Sequence, residues 1–161
     1  MPPHDEDWQL DEGLDPDGPS AEDLERFGSE LRNCPSCGED VYDQAGITPK
    51  DIDCAEIYVP FSWFEPMWLE NLGFCEVGEG WKYTMDGKTR MDGEIPFNMS
   101  GGVMCTNPIG ASGMLRFAEA ARQVRGTADA HQVDGAKIAL GHAYGGGSQF
   151  FAMWAVGKER P

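Results

Sequence analysis

The chain has 161 residues, of which 40% are hydrophobic and 11% aromatic, so it is long enough to form one domain with a buried core. Its formal net charge of −16 argues against nucleic acid or an anionic membrane as a partner, because phosphate binding depends on clustered Lys and Arg. No apolar run approaches the roughly 20 residues that span a bilayer, and the N-terminus lacks the basic and apolar regions of a signal peptide. We therefore expect a soluble, cytoplasmic protein.

The acidic residues are concentrated at the start of the chain. Residues 1–30 contain eleven acidic side chains, four prolines and a single basic residue, Arg26. This composition is typical of a solvated, poorly ordered segment, so we predict an acidic arm over 1–33 and a folded domain over 34–161. Cys34 and Cys37 have the spacing of half a zinc ribbon, but no second pair follows, and five irregularly spaced cysteines do not indicate a disulfide framework. We expect free thiols and no metal site.

Helices and one strand are predicted in the first half of the domain. “AEDLERFGSEL” and “CGEDVYDQAGI” are weakly amphipathic, and the second is expected to end at Gly46. “CAEIYVPF” predicts a buried strand over 54–58. In “SWFEPMWLENLGF”, Ser62 and Glu65 have the spacing of a capping box, and Gly73 is placed to end that helix.

The second half predicts an irregular segment, a helix and two strands. Residues 74–95 are rich in Gly and acidic residues and suggest at most a hairpin. “IPFNMSGGVMCTNPIGASG” is glycine-dense and almost uncharged, as expected of a site lined by backbone. The following helix closes at Gly126, and “KIALGHAY” and “SQFFAMWAV” predict strands. Helices alternating with buried strands indicate an α/β domain. The helix is predicted from apolar residues at helical spacing, namely Met114, Phe117, Ala118, Ala121 and Val124.

The stretch “GHAYGGG” at 141–147 has two interpretations. Glycine lets the backbone approach a ligand closely, so Tyr144 beside three glycines fits the floor of a pocket. The same stretch fits a tight turn between two strands, in which Tyr144 only packs. On these residues alone, the turn is favoured.

Three motifs in order resemble the thiolase superfamily. “NMSGGVMCTNPIGASG”, followed after one helix by “GHAYGGGSQ”, is similar to the “NxxGG…GHPxGASG” and “CxGGG” stretches in the C-terminal half of that family. “DIDCAEIYVPFSWFEPMWLENLGFCEVGEG” resembles the strand and helix that precede them. The resemblance covers about residues 38–157 and is greatest to the lipid-transfer, or sterol-carrier, branch. It implies a C-terminal thiolase domain, with a mixed sheet covered by helices.

The residues that differ from the family pattern bear on the reaction. Thiolases place Asn or His at the position of Tyr58, His at that of Asn107, and the acid/base Cys at that of Tyr144. The nucleophilic cysteine of the family lies in an N-terminal half that this chain does not contain. Acyl transfer through a covalent thioester needs a thiolate, so this chain is not expected to perform it by itself.

The resemblance with these substitutions implies carbon–carbon bond cleavage of a β-hydroxyacyl-CoA by a retro-aldol reaction, as in the aldolases of the lipid-transfer branch that act on steroid side chains. Tyr58 and Tyr144 would serve as base and acid, and Asn107 would offer an amide N–H to the thioester oxygen. Tyrosine, with a pKa near 10, accepts a proton poorly, so the basic one needs a neighbour such as His142 or glycine-loop amides. The glycines expected to shape the substrate site are Gly101, Gly102, Gly145, Gly146 and Gly147.

Each of these residues also has a structural interpretation. Tyr58 fits a core aromatic residue, Asn107 a turn residue before Pro108, and His142 a half-buried histidine without a chemical role. Cys75 and Cys105 are interpreted as small buried hydrophobic residues.

The partner implied by the resemblance is a second chain that carries the N-terminal thiolase half, or a second copy in a homodimer. A zinc-ribbon partner protein is a further candidate. The substrate is a coenzyme A thioester, and no permanently bound cofactor is expected. Two alternatives remain open. The first is a thiolase (acetyl-CoA acyltransferase) subunit whose cysteine comes from a partner. The second is a degenerate module that binds lipid or protein without catalysis.

Overall fold

The structure, a computed structural model, describes residues 40–145 and 150–159. The predicted helix near residues 21–31, Cys34 and Cys37 lie outside these residues. A three-stranded sheet flanked by helices confirms the predicted α/β fold. The strands are β1 (Cys54–Glu56), β2 (Ile138–Gly145) and β3 (Phe150–Gly157). The α-helices are α1 (Val41–Ala45), α2 (Phe64–Asn71), α3 (Gly80–Met85), α4 (Gly102–Cys105) and α5 (Ser112–Arg125).

The sheet is mixed and has the order β1-β2-β3. β1 pairs with β2 in parallel, with Cys54 opposite Ala139, and β2 pairs with β3 in antiparallel register. The segment around Phe97 borders β1 on its other side through a single parallel bridge to Ala55. Because parallel strands end at the same edge of a sheet, the residues that follow β1 lie beside the end of β2.

Two hydrophobic clusters cover the sheet. The larger one joins Trp68 and Leu69 of α2 to Leu140 of β2, and the smaller one joins Ala120 and Val124 of α5 to residues of β1 and β2. In the parts of the chain that the structure describes, no helix is long and apolar enough to cross a membrane.

Helix α5 was predicted at the right place, but its buried face is not the predicted one. Met114 and Phe117, from the predicted apolar stripe, are 70% and 43% exposed. The helix lies against β1 and β2 through the small side chain of Ala120, and its buried polar groups find partners inside the protein. The residues of α5 that are buried are Ser112, Arg116, Glu119, Ala120, Gln123 and Val124.

The helix boundaries set by glycine are confirmed. Gly46 and Gly126 take left-handed conformations directly after α1 and α5, with φ of 65° and 70°. Both final strands are also confirmed, with bounds within two residues of those predicted. The predicted strand over 54–58 is shorter and ends at Glu56.

Two local expectations were wrong. Residues 74–95 contain a six-residue helix, α3, which is too short to show a periodic pattern. The capping box of α2 does not form, because the helix begins after Trp63 and no side chain caps it. The Glu65 carboxylate instead accepts hydrogen bonds from the hydroxyls of Thr84 and Thr89, at 3.1 and 3.0 Å.

Candidate functional site

Two tyrosines meet at the edge of the sheet where β1 and β2 end. Tyr58 follows β1 after one residue, and Tyr144 is the penultimate residue of β2. Their ring centroids are 4.9 Å apart, and the planes are inclined at 77°, an edge-to-face contact. Tyr58 is buried and Tyr144 is half-buried. The parallel pairing of the two strands therefore unites residues that are 86 positions apart in the sequence.

Asn107 joins this pair through its side-chain oxygen. The Tyr58 hydroxyl donates to Asn107 Oδ1 at 3.3 Å. The same oxygen accepts from the Ser112 hydroxyl at 2.6 Å and from the Ile109 backbone N–H at 3.2 Å. The structure thus brings Tyr58, Tyr144 and Asn107 together. Ser112 also belongs to this group, although the sequence interpretation did not single it out.

The loop that carries Asn107 is strained. Ile109 has a φ of 51°, in the left-handed region that β-branched residues avoid. Its side chain is 80% exposed, so packing of that side chain does not account for the conformation. Such strain costs on the order of 1–3 kcal/mol and is often found at functional sites.

Aromatic side chains extend from Tyr144 toward the surface. The ring of Phe64 stacks on Tyr144 with centroids 5.5 Å apart, and Trp63 stacks on Phe64 at 4.0 Å. Phe61 also stacks on Phe64. Phe61 and Trp63 are both more than half exposed. We call Phe61, Trp63 and Phe64 the aromatic wall; it gives the tyrosine pair an apolar border.

His142 lies on the same face of β2 as Tyr144 but makes no hydrogen bond to it. Among the described residues, neither ring nitrogen has a hydrogen-bond partner. The imidazole is fully buried, 4.1 Å from the ring of Trp68 and stacked with Phe151. Burial lowers the pKa of His142 to about 3, so the ring is neutral at physiological pH. The expected hydrogen-bonding support from His142 is therefore not present.

Gly101 and Gly102 shape a turn at the start of α4. Both have positive φ, of 89° and 61°. The Gly101 N–H donates to Asn98 O at 2.9 Å, and the Gly102 N–H donates to the Ser100 hydroxyl at 3.2 Å. These two amides are thus engaged within the turn, and the expected role of the two glycines in shaping the substrate site stays a prediction. Gly145 ends β2 and is exposed; Gly146 and Gly147 lie outside the described residues.

A buried ionic cluster behind this turn was missed at the sequence level. Arg116 Nη1 donates to Glu56 Oε2 at 2.9 Å and to the Ser100 hydroxyl at 3.0 Å. The Ser100 N–H and hydroxyl each donate to the Glu56 carboxylate at 2.9 Å. Burial raises the pKa of Glu56, although the hydrogen bonds from Ser100 and the charge of Arg116 act against it. The sequence did contain a signal for this cluster, namely Glu56 inside an apolar strand, because a buried carboxylate needs a cation as its partner.

Three of the five cysteines, Cys54, Cys75 and Cys105, lie in the described residues, and they differ in burial. Cys54 is buried and Cys75 half-buried, and burial raises their pKa values to about 12 and about 11. Cys105 is exposed, so its interpretation as a buried residue was wrong. Across 40–145 and 150–159, no three His, Cys, Asp or Glu side chains are grouped as metal ligands would be.

A cleft of about 790 Å³ lies away from the tyrosine pair. Gln123, Lys137, Ile138 and Gly157 are among its lining residues. Ile138 is at the opposite end of β2 from Tyr144, about 20 Å away along the strand. The convergence of phenol and amide groups, rather than cavity volume, therefore identifies the candidate site.

Comparison with known proteins gives concordant matches. The family described as thiolase C-terminal domain-like matches residues 24–155. An acetyl-CoA acetyltransferase of Methanothermobacter thermautotrophicus is 42% identical over 112 residues, which are 69% of this chain and 29% of that protein. The 17-hydroxy-3-oxo-4-pregnene-20-carboxyl-CoA lyase of Mycobacterium tuberculosis is 39% identical over 90 residues, 56% of this chain and 23% of the lyase.

A solved structure is also similar. The Ltp2-ChsH2(DUF35) aldolase superposes with a TM-score of 0.63 and 29% sequence identity, covering 84% of this chain and 32% of that one. The chain thus spans less than a third of the length of each of these proteins.

Proposed function

Since the chain belongs to the thiolase C-terminal domain-like family, we propose that it supplies one half of an active site that cleaves a carbon–carbon bond in a β-hydroxyacyl-CoA. The observation that carries this proposal is the contact between the rings of Tyr58 and Tyr144, with Asn107 beside them. By resemblance, thiolases hold Asn or His at the position of Tyr58, His at that of Asn107, and the acid/base Cys at that of Tyr144. The similar lyase and aldolase support cleavage over acyl transfer.

The reaction needs acid–base and electrostatic catalysis but no covalent enzyme intermediate. A base removes the proton of the β-hydroxyl, the bond between Cα and Cβ breaks, and a carbonyl forms at Cβ. The bonding electrons pass into an enolate whose charge lies on the thioester oxygen. An acid then returns one proton to Cα, which yields an aldehyde or ketone and a shortened acyl-CoA. One proton is taken and one is returned, so no external oxidant or reductant is required.

The hydrogen bonds assign different roles to the two phenols. The Tyr58 hydroxyl donates a hydrogen bond to Asn107 Oδ1, so it carries its proton in this arrangement. Tyr58 is therefore the proton donor. The hydroxyl of Tyr144 has no hydrogen-bond partner among residues 40–145 and 150–159, so it is free to act on the substrate. In this proposal Tyr144 is the base, and the backbone amides of the glycine stretch that follows it are the groups that would stabilise its phenolate, since His142 makes no hydrogen bond to it.

Asn107 and the aromatic wall complete the substrate site. With its oxygen engaged by three donors, the Asn107 side chain has its amide N–H groups left to donate to the thioester oxygen. A preorganised donor of this kind contributes roughly 3–4 kcal/mol to transition-state stabilisation. Trp63 and Phe64 offer an apolar surface for the acyl group, such as a lipid or steroid side chain.

The exposed apolar face of α5 supports a composite assembly. Met114 and Phe117 form its exposed part, and Phe117 contacts Trp154 of β3 with ring centroids 5.7 Å apart. Contiguous exposed apolar patches mark protein contact surfaces, and this proposal treats the exposed face of α5 as one of them. The covering partner in this proposal is a second, thiolase-like chain that carries the N-terminal half; a second copy of this chain is the other arrangement. The name of the Ltp2-ChsH2(DUF35) aldolase contains two components, which supports assembly with a further protein; a zinc-ribbon protein is the candidate implied by the family resemblance.

A transferase subunit is the second candidate function. The 42% identity to an acetyl-CoA acetyltransferase favours it, and the partner would then have to supply the nucleophilic cysteine. The two functions differ in their need for free CoA. Thiolysis consumes CoA, whereas the retro-aldol reaction proceeds without it.

The test is an assay of the chain co-expressed with its complementary half. We expect β-hydroxyacyl-CoA to be cleaved without added CoA, and Tyr144→Phe or Tyr58→Phe to lower kcat by about 100-fold or more while preserving ring packing. Tyr83→Phe is a matched control, because Tyr83 is a buried tyrosine that lies outside the group formed by Tyr58, Tyr144 and Asn107. Cleavage that requires CoA would establish the transferase instead. Unchanged turnover in Tyr144→Phe would exclude Tyr144 from the chemistry, and no reaction of either kind would favour a non-catalytic module.

A further inference from the structure

Three hydrogen-bond donors converge on one atom at the candidate site, Asn107 Oδ1. They are the hydroxyls of Tyr58 and Ser112 and the backbone N–H of Ile109. A carboxamide has two chemically different ends, and the end that is held determines which end is offered to a substrate. The bonds around Asn107 therefore set the chemistry of this position.

The backbone N–H of Ile109 establishes the orientation of the amide. Hydroxyls can donate or accept, so the bonds to Tyr58 and Ser112 are compatible with either end of a carboxamide. A backbone N–H can only donate, so the atom 3.2 Å from Ile109 N must be an oxygen. The left-handed backbone of Ile109 accompanies this bond.

Ser112 makes the shortest of the three bonds and does not reach the substrate side. Its hydroxyl lies 2.6 Å from Asn107 Oδ1, whereas the Tyr58 hydroxyl is at 3.3 Å. Ser112 is fully buried at the first residue of α5. Any influence on the reaction must then pass through Asn107.

In the described residues, the Nδ2 group of Asn107 donates to no acceptor within the protein, and the residue is exposed. The oxygen is thus saturated with donors while the nitrogen is available. Loss of one of three anchors would let the amide rotate and would present oxygen to the substrate for part of the time. A negatively charged oxyanion would be repelled in that orientation.

We propose that Ser112 is a positioning residue, which holds the Asn107 carboxamide with Nδ2 toward the thioester oxygen. The proposal rests on the function proposed above, and it deepens that function by naming Ser112 as the residue that fixes the donor orientation of Asn107. Ser112 touches no reacting atom and acts by fixing the orientation of another side chain.

A double-mutant cycle in the assembled enzyme tests this inference. Ser112→Ala is expected to lower kcat about tenfold with KM changed less than twofold, because the Asn107 donor matters most in the transition state. In an Asn107→Ala background, Ser112→Ala is expected to change kcat less than twofold, because its effect requires the amide. An equal loss in both backgrounds, or unchanged kcat in the single variant, would overturn the proposal.

A second measurement does not depend on turnover. With selective ¹⁵N-asparagine labelling of this chain in the same assembly, the side-chain NH₂ signals of Asn107 are expected to shift and broaden in Ser112→Ala but not in Tyr83→Phe. Unchanged signals in Ser112→Ala would overturn the inference. If the wild-type assembly cleaves no substrate, the proposed function fails, while these signals still decide whether Ser112 orients Asn107.

Discussion

Arg116 Nη1 lies 2.9 Å from Glu56 Oε2, and the two side chains are only 4% and 0% exposed. This ion pair joins α5 to β1 directly below the turn that contains Gly101 and Gly102. Removing one member of a buried pair leaves an uncompensated charge, which typically costs about 3–5 kcal/mol. The pair therefore links the helix that carries Ser112 to the strand that leads to Tyr58.

The first prediction concerns this pair. We expect Arg116→Met to lower the free energy of unfolding by about 3–5 kcal/mol at neutral pH, with a smaller loss at pH 5. The pKa of Glu56 is already raised by burial and rises further without Arg116. A raised carboxyl pKa favours folding at low pH, and this contribution is lost as the pH increases through the folded-state pKa.

Urea denaturation at pH 5 and pH 8 measures this effect. Glu56→Gln combined with Arg116→Met is the matched control, because it removes both charges. The double variant should be more stable than Arg116→Met at pH 8 and should lack the extra pH dependence. An Arg116→Met variant that is equally destabilised at both pH values would contradict the role given to Glu56 ionisation.

The second prediction concerns His142, whose pKa burial lowers to about 3 from an ordinary 6.5. A group with a lowered folded-state pKa stabilises the fold above its unfolded-state pKa, and this stability is lost as the pH falls from about 6.5 toward 3. The full difference corresponds to on the order of 5 kcal/mol. We expect His142→Phe to remove this part of the acid sensitivity, since Phe keeps a ring against Trp68.

Denaturation of the wild-type protein and of His142→Phe between pH 7 and pH 4 isolates the contribution of His142 to the free energy of unfolding, because the two proteins share all other titrating groups. The two stability curves should diverge as the pH falls, with the variant the more stable protein in acid. Parallel curves would mean that His142 does not resist protonation in the folded protein.

The third prediction concerns the strained backbone of Ile109. Asn tolerates the left-handed region, so we expect Ile109→Asn to raise the free energy of unfolding by about 1 kcal/mol. The exposed isoleucine side chain contributes little packing to offset this gain. Ile109→Val is the control, because Val remains β-branched and should give no stabilisation. Thermal or urea unfolding distinguishes them, and equal stability of both variants would argue against strain at this residue.

The fourth prediction concerns the exposed face of α5. We expect Phe117→Asp to abolish co-purification with the complementary thiolase-like chain, because a charge would enter an apolar interface. Phe117 is 43% exposed and contacts the Trp154 ring, so the substitution should also cost the isolated chain about 1–2 kcal/mol of stability. Met85→Asp is the control, on a residue that is 78% exposed in α3. Retained assembly in Phe117→Asp would show that the partner does not use this face.

Local chemical signals allowed much of the fold to be predicted. Glycines at 46 and 126 take the left-handed conformation that ends a helix, and that requirement can be read from one residue. The strands β2 and β3 follow from apolar runs on either side of a glycine-rich stretch of sequence. The convergence of Tyr58 and Tyr144, by contrast, depends on parallel pairing between distant strands, and it was the family resemblance that brought these residues together.

Other features depend on interactions that sequence periodicity does not encode. The polar buried face of α5 exists because Arg116 and Gln123 find partners on other segments, which no pattern within the helix reveals. Glu65 fits a capping box by spacing, but two threonine hydroxyls from a later segment compete for its carboxylate. The role of Ser112 becomes visible only once the loop of Asn107 is seen to fold back on the start of α5.

The outward-facing phenylalanine and methionine of α5 have a consequence for how much of this protein a cell can use. If a complementary polypeptide covers them, surplus copies without a partner would keep this apolar surface exposed. Such copies would be prone to aggregation or to removal by proteases. The abundance of the working enzyme would then follow the scarcer of the two gene products. Balanced synthesis would matter as much to its output as the rate of any single chemical step.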